Sequence, residues 1–329
     1  MIRKMHSFLA ILIGPTLLSF VAVNTAMAQR DGVTKQDPQS QNLLEVPPDV
    51  RPLTENPQSK LDPWAPPSID ALKLPVADAT TCSLPDVVSQ AGERVEELVH
   101  NLDRFSATEV IEHQPVNRSG KLQRPEIQKL NYVYSMKPGP DGYMISEEDR
   151  DLSGSPNGYP DKIATIGSAG MILIFHPNYI RNFRMTCDGL GNWQGQPAWQ
   201  VHFEELPDCL HRMSSIVIGG SSYVVRLRGI AWILADSYQV AHLEIDLAEQ
   251  IPKIRLRLDH QIIDYLPVAF PQSDAKIWLP SSAELYLDFR GHRFYRRLSY
   301  VNFKLFSVKV QQQFGSPHKP GEIPAPASY

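Results

Sequence analysis

The chain has 329 residues, 42% of them hydrophobic, and a formal charge of −4. That length fits one large domain or two small ones. The near-balance of charge excludes the basic excess of a nucleic-acid binder and the acidic block of a solvating tail.

Arg3, Lys4 and His6 precede "FLAILIGPTLLSFVAV", and "AMA" precedes Gln29. A positive start, an apolar stretch and a small-x-small site make residues 1–28 a signal peptide cleaved after Ala28. The apolar stretch is short for a bilayer span, and Gly14-Pro15 interrupts it. Gln29, not Cys, follows the site, so no lipid anchor is expected. No later stretch is long and uncharged enough to span, so no transmembrane anchor remains after cleavage. The expected location is periplasmic or secreted. Export permits disulfides. With Cys82, Cys187 and Cys209, at least one thiol stays unpaired within the chain. No CxxC or HxxxH pair seeds a zinc site, and no cofactor or metal is expected.

Residues 29–80 are polar and proline-rich. Proline removes backbone donors and fixes φ, so the segment reads as an extended or disordered leader, in which Trp64 reads either as a docking point or, as a lone aromatic in a linker more often is, as incidental. Helical spacing of Leu84, Val87, Val88, Ala91, Val95, Leu98, Val99, Leu102 and Phe105 predicts a helix over 83–105. Ser83 and Pro85 stand at its start. That apolar stripe is expected to lie on a sheet. Strand signals follow at "ATEVIEHQPV", "IQKLNYVYSMKP" and "YMISEEDRD". "SAGMILIFHPNYI" reads as a short helix that Pro177 stops. "RNFRMTC" and "AWQVHFEEL" flank "DGLGNWQGQP" as a hairpin with a long turn.

The last third is a meander of about five long strands, hence an antiparallel sheet. Leu243, Ile245 and Leu247 share one parity, against His242, Glu244 and Asp246. After Pro252, Ile254, Leu256, Leu258 and Ile262 share a parity, against Lys253, Arg255, Arg257, Asp259 and Gln261. Ala283, Leu285, Leu287 and Phe289 continue the one-sided pattern. A helix of some twenty residues is about 30 Å long and covers only part of eight or more strands at roughly 4.8 Å spacing. The sheet therefore curls, takes a second layer, or keeps apolar surface for a ligand. The expected organisation is one α+β domain over 81–314 and a disordered tail, 315–329.

"RGIAWILADSYQVAHLEIDL" resembles a strand–turn–strand signature of the LolA-type outer-membrane lipoprotein carriers, through Gly229, Trp232, Asp236, Val240, Leu243 and Glu244. His242 stands where an Arg is common. "IWLPSSAELYLDF" extends the likeness, with Trp278-Leu279-Pro280. Over its whole length the chain is also similar to exported proteins of environmental bacteria. The carrier resemblance implies an incomplete β-barrel, a large curved antiparallel sheet with one or two helices packed on its concave face. It also implies a carrier or sensor for an apolar group. No functional residue of the carriers falls on a matching motif.

The residues expected to line such a cavity are Leu243, Ile245, Ile254, Leu256, Leu258, Leu285 and Leu287, with Trp232 and Trp278 near a rim. Each singly also reads as ordinary core. No GxSxG exists, and "GSAG" and "GGSS" read as turns, so no catalytic residue is assigned. His242, Glu244 and Asp246 stand at i, i+2, i+4, a spacing that can gather metal ligands and that a solvated outer face, the preferred reading, also produces. His260 reads as a hydrogen-bonded core histidine. Arg290, Arg293, Arg296 and Arg297, near Tyr295 and Tyr300, read as a charged strand face with cross-strand partners, in preference to a site for phosphate head groups or acidic glycans. A ten-residue offset along a hairpin puts Cys187 and Cys209 roughly 30 Å apart, beyond the ~7 Å disulfide limit. Cys82–Cys187 is the better pairing, against three unlinked thiols. Three functions stay open. The first is a non-enzymatic binder or carrier of a lipid or lipoprotein acyl chain. The second is an envelope module with a self-packed core and a protein partner, and the third is a wall or glycan hydrolase.

Overall fold

The computed structural model describes residues 9–10, 64, 66–69, 76–77, 81–139, 142–154, 158–164, 167–209, 211–218, 221–270 and 273–306. The expected tail and most of the expected signal peptide and leader lie outside these residues. The elements run β1 (Leu9–Ala10), α1 (Leu84–Asn101), β2 (Arg104–Pro115), β3 (Glu126–Pro138) and β4 (Met144–Asp151). Next come a 3-10 segment (Ser168–Phe175), α2 (Pro177–Ile180), β5 (Phe183–Trp193), β6 (Gln196–Glu205), β7 (Ser214–Ile218) and β8 (Ser221–Val225). The meander is β9 (Leu227–Leu234), β10 (Val240–Leu247), β11 (Leu256–Phe270), β12 (Ser273–Phe289) and β13 (His292–Phe306). β1, β7 and β8 form a small sheet.

The other ten strands form one antiparallel sheet in the order β4-β3-β2-β13-β12-β11-β10-β9-β6-β5. Two hairpins have two-residue turns, the first of them tighter than the long turn the sequence suggested. β5 and β6 turn over Gln194 and Gly195, at φ 49° and 87°, and β12 and β13 over Arg290 and Gly291, at φ 55° and 90°. Positive φ at both central residues is what a two-residue type I′ turn requires, and glycine supplies one of them at no steric cost.

The sheet must curl, and one short segment shows why. A Cβ placed on Gly170 would lie 3.4 Å from the Tyr134 hydroxyl on β3. Five residues later, the Phe175 ring stands 6.2 Å from the Phe203 ring on β6. β3 and β6 are seven strand spacings apart, about 34 Å if the sheet were flat. Five residues of 3-10 helix advance only about 10 Å. The two ends of the sheet are therefore brought toward each other. No pairing joins β4 to β5 among the described residues, so the barrel stays open there.

Helices bridge the opening. The Tyr179 hydroxyl of α2 donates to the Met144 carbonyl of β4 at 2.9 Å. On the other side Cys82, just before α1, is disulfide-bonded to Cys187 of β5. α1 buries Val87, Ala91, Gly92 and Val95. Its close neighbour is the 3-10 segment, since a Cβ on Gly92 would be 3.2 Å from the Phe175 carbonyl oxygen. The helix also stops at Asn101, short of the expected Phe105, because β2 begins at Arg104 and claims Phe105 for the sheet's inner face.

Candidate functional site

The inside of the curl holds the apolar surface that the alternation pointed to. Residues 168–175, "SAGMILIF", are all buried there. The segment starts after Gly167, at φ 105°, and ends at His176, whose imidazole accepts the Asn178 N–H as α2 begins. An eight-residue 3-10 run is unusual, because its hydrogen bonds are poorly aligned. Its conformation is set by packing, and it occupies the middle of the barrel as a plug.

The expected lining residues divide between the two faces. Leu243, Ile245, Ile254, Leu256, Leu285 and Leu287 are buried in the same core as the plug. Trp232 belongs instead to a second cluster on the convex face, with Ile69, Ala198, Ile230, Leu234 and Ala241. Trp278 touches both clusters. Leu258 is half-buried and opposes Asp288, while its neighbour Asp259 opposes the core residue Leu287. The reason is a register shift between Leu256 and Leu258. One slipped residue exchanges the faces of everything beyond it. Asp259 and Gln261, expected outside, therefore point into the core with Ile263.

Polar groups buried inside the curl were not foreseen. Arg150 of β4 binds both oxygens of Glu109 on β2, at 2.6 and 2.8 Å, and lies 4.9 Å from the centre of the Tyr132 ring. It also pairs with Glu148 at 3.2 Å. Glu148 in turn accepts the Gly167 N–H at 2.8 Å, which ties the plug's first turn to β4. Burial pushes the Glu148 carboxyl up, against the opposing pull of Arg150. The Tyr132 and Tyr300 hydroxyls close by are buried with no hydrogen-bond partner among the described residues. Arg296, wholly buried, donates to the Ile163 and Pro160 carbonyls at 2.8 and 3.1 Å. Beside it, burial and then the guanidinium charge hold the His113 imidazole down at about 4. Near that loop an open cavity of about 280 Å³ is lined by Glu126, Gln128, Tyr159, Asp161 and Lys162 among others.

No family model and no curated protein matches the chain. Several solved structures are similar to it, three of them as follows. One is a DUF1329 family protein from Desulfovibrio piger, 10% identical over 68% of this chain and 94% of that one, with TM-score 0.39. The second is a LolA superfamily protein from Nitrosomonas europaea, 11% identical over 67% and 94%, with TM-score 0.34. The third is a putative outer membrane lipoprotein-sorting protein domain from Vibrio parahaemolyticus, 10% identical over 69% and 97%, with TM-score 0.34.

Other expected groups fall differently from their sequence reading. His242, Glu244 and Asp246 do share the convex face, yet all three are buried rather than solvated. Trp193, at the tip of β5, stands 4.1 Å from the His242 ring, and the leader residue Ile69 donates its N–H to Asp246 at 3.4 Å. His242 bonds Asp264 at 2.6 Å, and His260 bonds Asp246 at 2.5 Å. The arginines do not form one face. Arg296 points into the core and Arg297 lies on the opposite side, where it is close to Glu284. Cys209 is free; burial, with Glu205 near it, raises its thiol to about 11, so it is not a reactive thiolate. No helix among the described residues is long and apolar enough to cross a membrane.

Proposed function

We propose that the protein is a non-enzymatic binding or carrier protein of the bacterial envelope for an apolar group, a lipid or lipoprotein acyl chain, held between the curled sheet and its helical cover. The observation that carries this reading is the plug. A stretch of the chain with no charged side chain, Ser168–Phe175, is buried in one apolar core with Leu243, Ile245, Leu256, Leu285 and Leu287, and a hydrocarbon would meet the same surface if the stretch withdrew. Met171, Ile172, Leu173, Ile174 and Phe175 each gain about 2 kcal/mol by burial, roughly 10 kcal/mol together. A twelve-carbon chain gains about 0.8 kcal/mol per methylene, again roughly 10 kcal/mol before binding costs. The gross gains of plug and ligand are then equal, and the cost of association, on the ligand side alone, tips the free chain toward the plugged state. Gly167 at one end and Pro177 at the other bound the segment that moves.

A second reading has its own observation. All eight plug residues are buried, so the core is also complete without a guest, as in an envelope module that binds a protein partner. Purified full-length chain decides between them. Organic extraction with mass spectrometry is expected to release acyl-bearing species, and a fluorescent fatty acid is expected to bind saturably and be displaced by dodecanoate. No extracted lipid together with no saturable probe binding ends the carrier reading and leaves the module.

A further inference from the structure

The convex face of the sheet is amphipathic across its width. Near β6 and β9 it carries Ala198, Ile230, Trp232 and Leu234. Toward β10 and β11 it turns to His242, Glu244, Asp246 and His260. An apolar area bordered by charge is how an interaction surface reads. Trp193 of β5 covers part of it, 5.2 Å from Trp232 and 4.1 Å from His242, and described residues of the chain's own leader touch it at three further points. The Trp64 N–H donates to the Gly120 carbonyl at 2.5 Å, and its ring stands 5.7 Å from that of Tyr286 on β12. Ile69 is only 3% exposed, seated in the convex cluster, with its N–H toward Asp246 on β10. The Ala77 N–H donates to Leu190 on β5 at 2.8 Å, and Val76 lies over Gly189, where an added Cβ would come within 3.3 Å. Five residues reach at most about 17 Å, enough for the two strand spacings from β12 to β10.

We propose that this convex face is a binding site for an extended peptide carrying an aromatic and, five residues on, a branched aliphatic side chain, and that the leader residues described against it, 64, 66–69 and 76–77, are its displaceable intramolecular occupant. The attachment is slight. One fully buried isoleucine contributes about 1.5–3 kcal/mol, and each backbone hydrogen bond about 1 kcal/mol net. Against this stands the entropy of ordering the segment, about 1–2 kcal/mol per residue. The floor beneath also favours release. Glu244 Oε2 and His260 Nε2 are buried without a hydrogen-bond partner among the described residues, and water would satisfy both once the strap leaves. The charged half of the face has the composition of a solvated strand, so both states are tolerable. Such a strap belongs to the low-stability end of local openings, where displaceable elements are found.

The test uses the full-length chain and a fluorescently labelled synthetic peptide of residues 62–77. In Ile69→Asp the intramolecular strap is lost and the face stands open. That variant is expected to bind the peptide at least tenfold more tightly than the wild type, and a peptide carrying the same substitution is expected not to bind. Equal binding by the two proteins, or no binding by a variant that melts like the wild type, overturns the proposal. Hydrogen exchange on the wild type decides independently of the variant. The Ile69 and Ala77 amides are expected to exchange far faster than the β10 amides, by local opening. Exchange at the global unfolding rate would mean a permanent part of the core.

Discussion

Arg150 on β4 reaches across the Tyr132 ring on β3 and clamps both carboxylate oxygens of Glu109 on β2. Three neighbouring strands are joined by one side chain inside the barrel, where Glu109 has no exposure to water. A buried pair gains little over an apolar pair of the same shape, because desolvation cancels much of the attraction, but breaking one strands a charge.

Arg150→Met therefore leaves Glu109 and Glu148 without their cation. The expected loss is about 3–5 kcal/mol of stability in urea unfolding. Adding Glu109→Gln to that variant is expected to restore part of it. A loss below about 1 kcal/mol, the size of an exposed pair, would show that water reaches the cluster.

Asp259 gives a pH-dependent prediction. Burial pushes its carboxyl up to about 6, while Gln261 at 3.1 Å opposes the shift. An unfolded Asp ionises near 3.9, so between about pH 4 and 6 the unfolded chain sheds a proton that the folded chain keeps. Stability should fall as pH rises through that window, by up to about 3 kcal/mol, and then stay level. Asp259→Asn has no proton to lose, and its amide has Gln261 Oε1, buried and unpartnered, within its neighbourhood. The variant is expected to match the wild type at pH 4 and to be the more stable protein above pH 7. Melting curves from pH 4 to 8 check this, and a difference constant with pH would refute the assignment.

These inward-facing groups also show what the sequence discloses. The alternation of Leu243, Ile245, Ala283, Leu285 and Leu287 was legible because the strand period is two and one face is buried. The faces of β11 were not, because the slip between Leu256 and Leu258 is fixed by pairing with β12 and leaves no mark in the local pattern. Glu109 did leave one, a lone acid between Ala107 and Ile111 in the buried parity of β2. Glu148 and Arg150 left none, since "MISEEDRD" is polar on both parities beyond Ile145. The plug read as a short helix that Pro177 stops, where the chain forms a 3-10 run ending at Phe175 and Pro177 instead opens α2, and its place inside the barrel depends on the sheet curling around it. Ile69 was hidden in a proline-rich stretch by being a single anchor without periodicity.

Gly229 lies on β9 where the Phe203 ring and the Glu244 carbonyl close over it. A Cβ there would stand 2.3 Å from each, so both a side chain and the β10 backbone would have to move. Gly229→Ala is expected to destabilise by about 3 kcal/mol, the upper end of overpacking, because backbone cannot yield as a rotamer does. Phe203→Leu in addition removes the ring but not the carbonyl, so only partial recovery is expected. Thermal melts report both, and an alanine variant as stable as the wild type would contradict the close approach.

The carrier reading stands or falls on whether the plug moves, and the geometry offers a way to hold it. A Cβ on Gly170 would lie 3.8 Å from the Cβ of Ser146 on β4, the mean separation across a disulfide. Ser146→Cys with Gly170→Cys, in a Cys209→Ser background to remove the free thiol, should close under oxidation and fix the plug to the sheet. The oxidised pair is expected to melt no lower than the wild type and to bind no fluorescent fatty acid, while each single substitution binds as the wild type does. Reductant should restore binding. It also opens Cys82–Cys187, so wild type treated in the same way is the comparison. If the closed pair binds the probe as well as the wild type, the plug is a fixed part of the core and the acyl chain is not bound inside the curl.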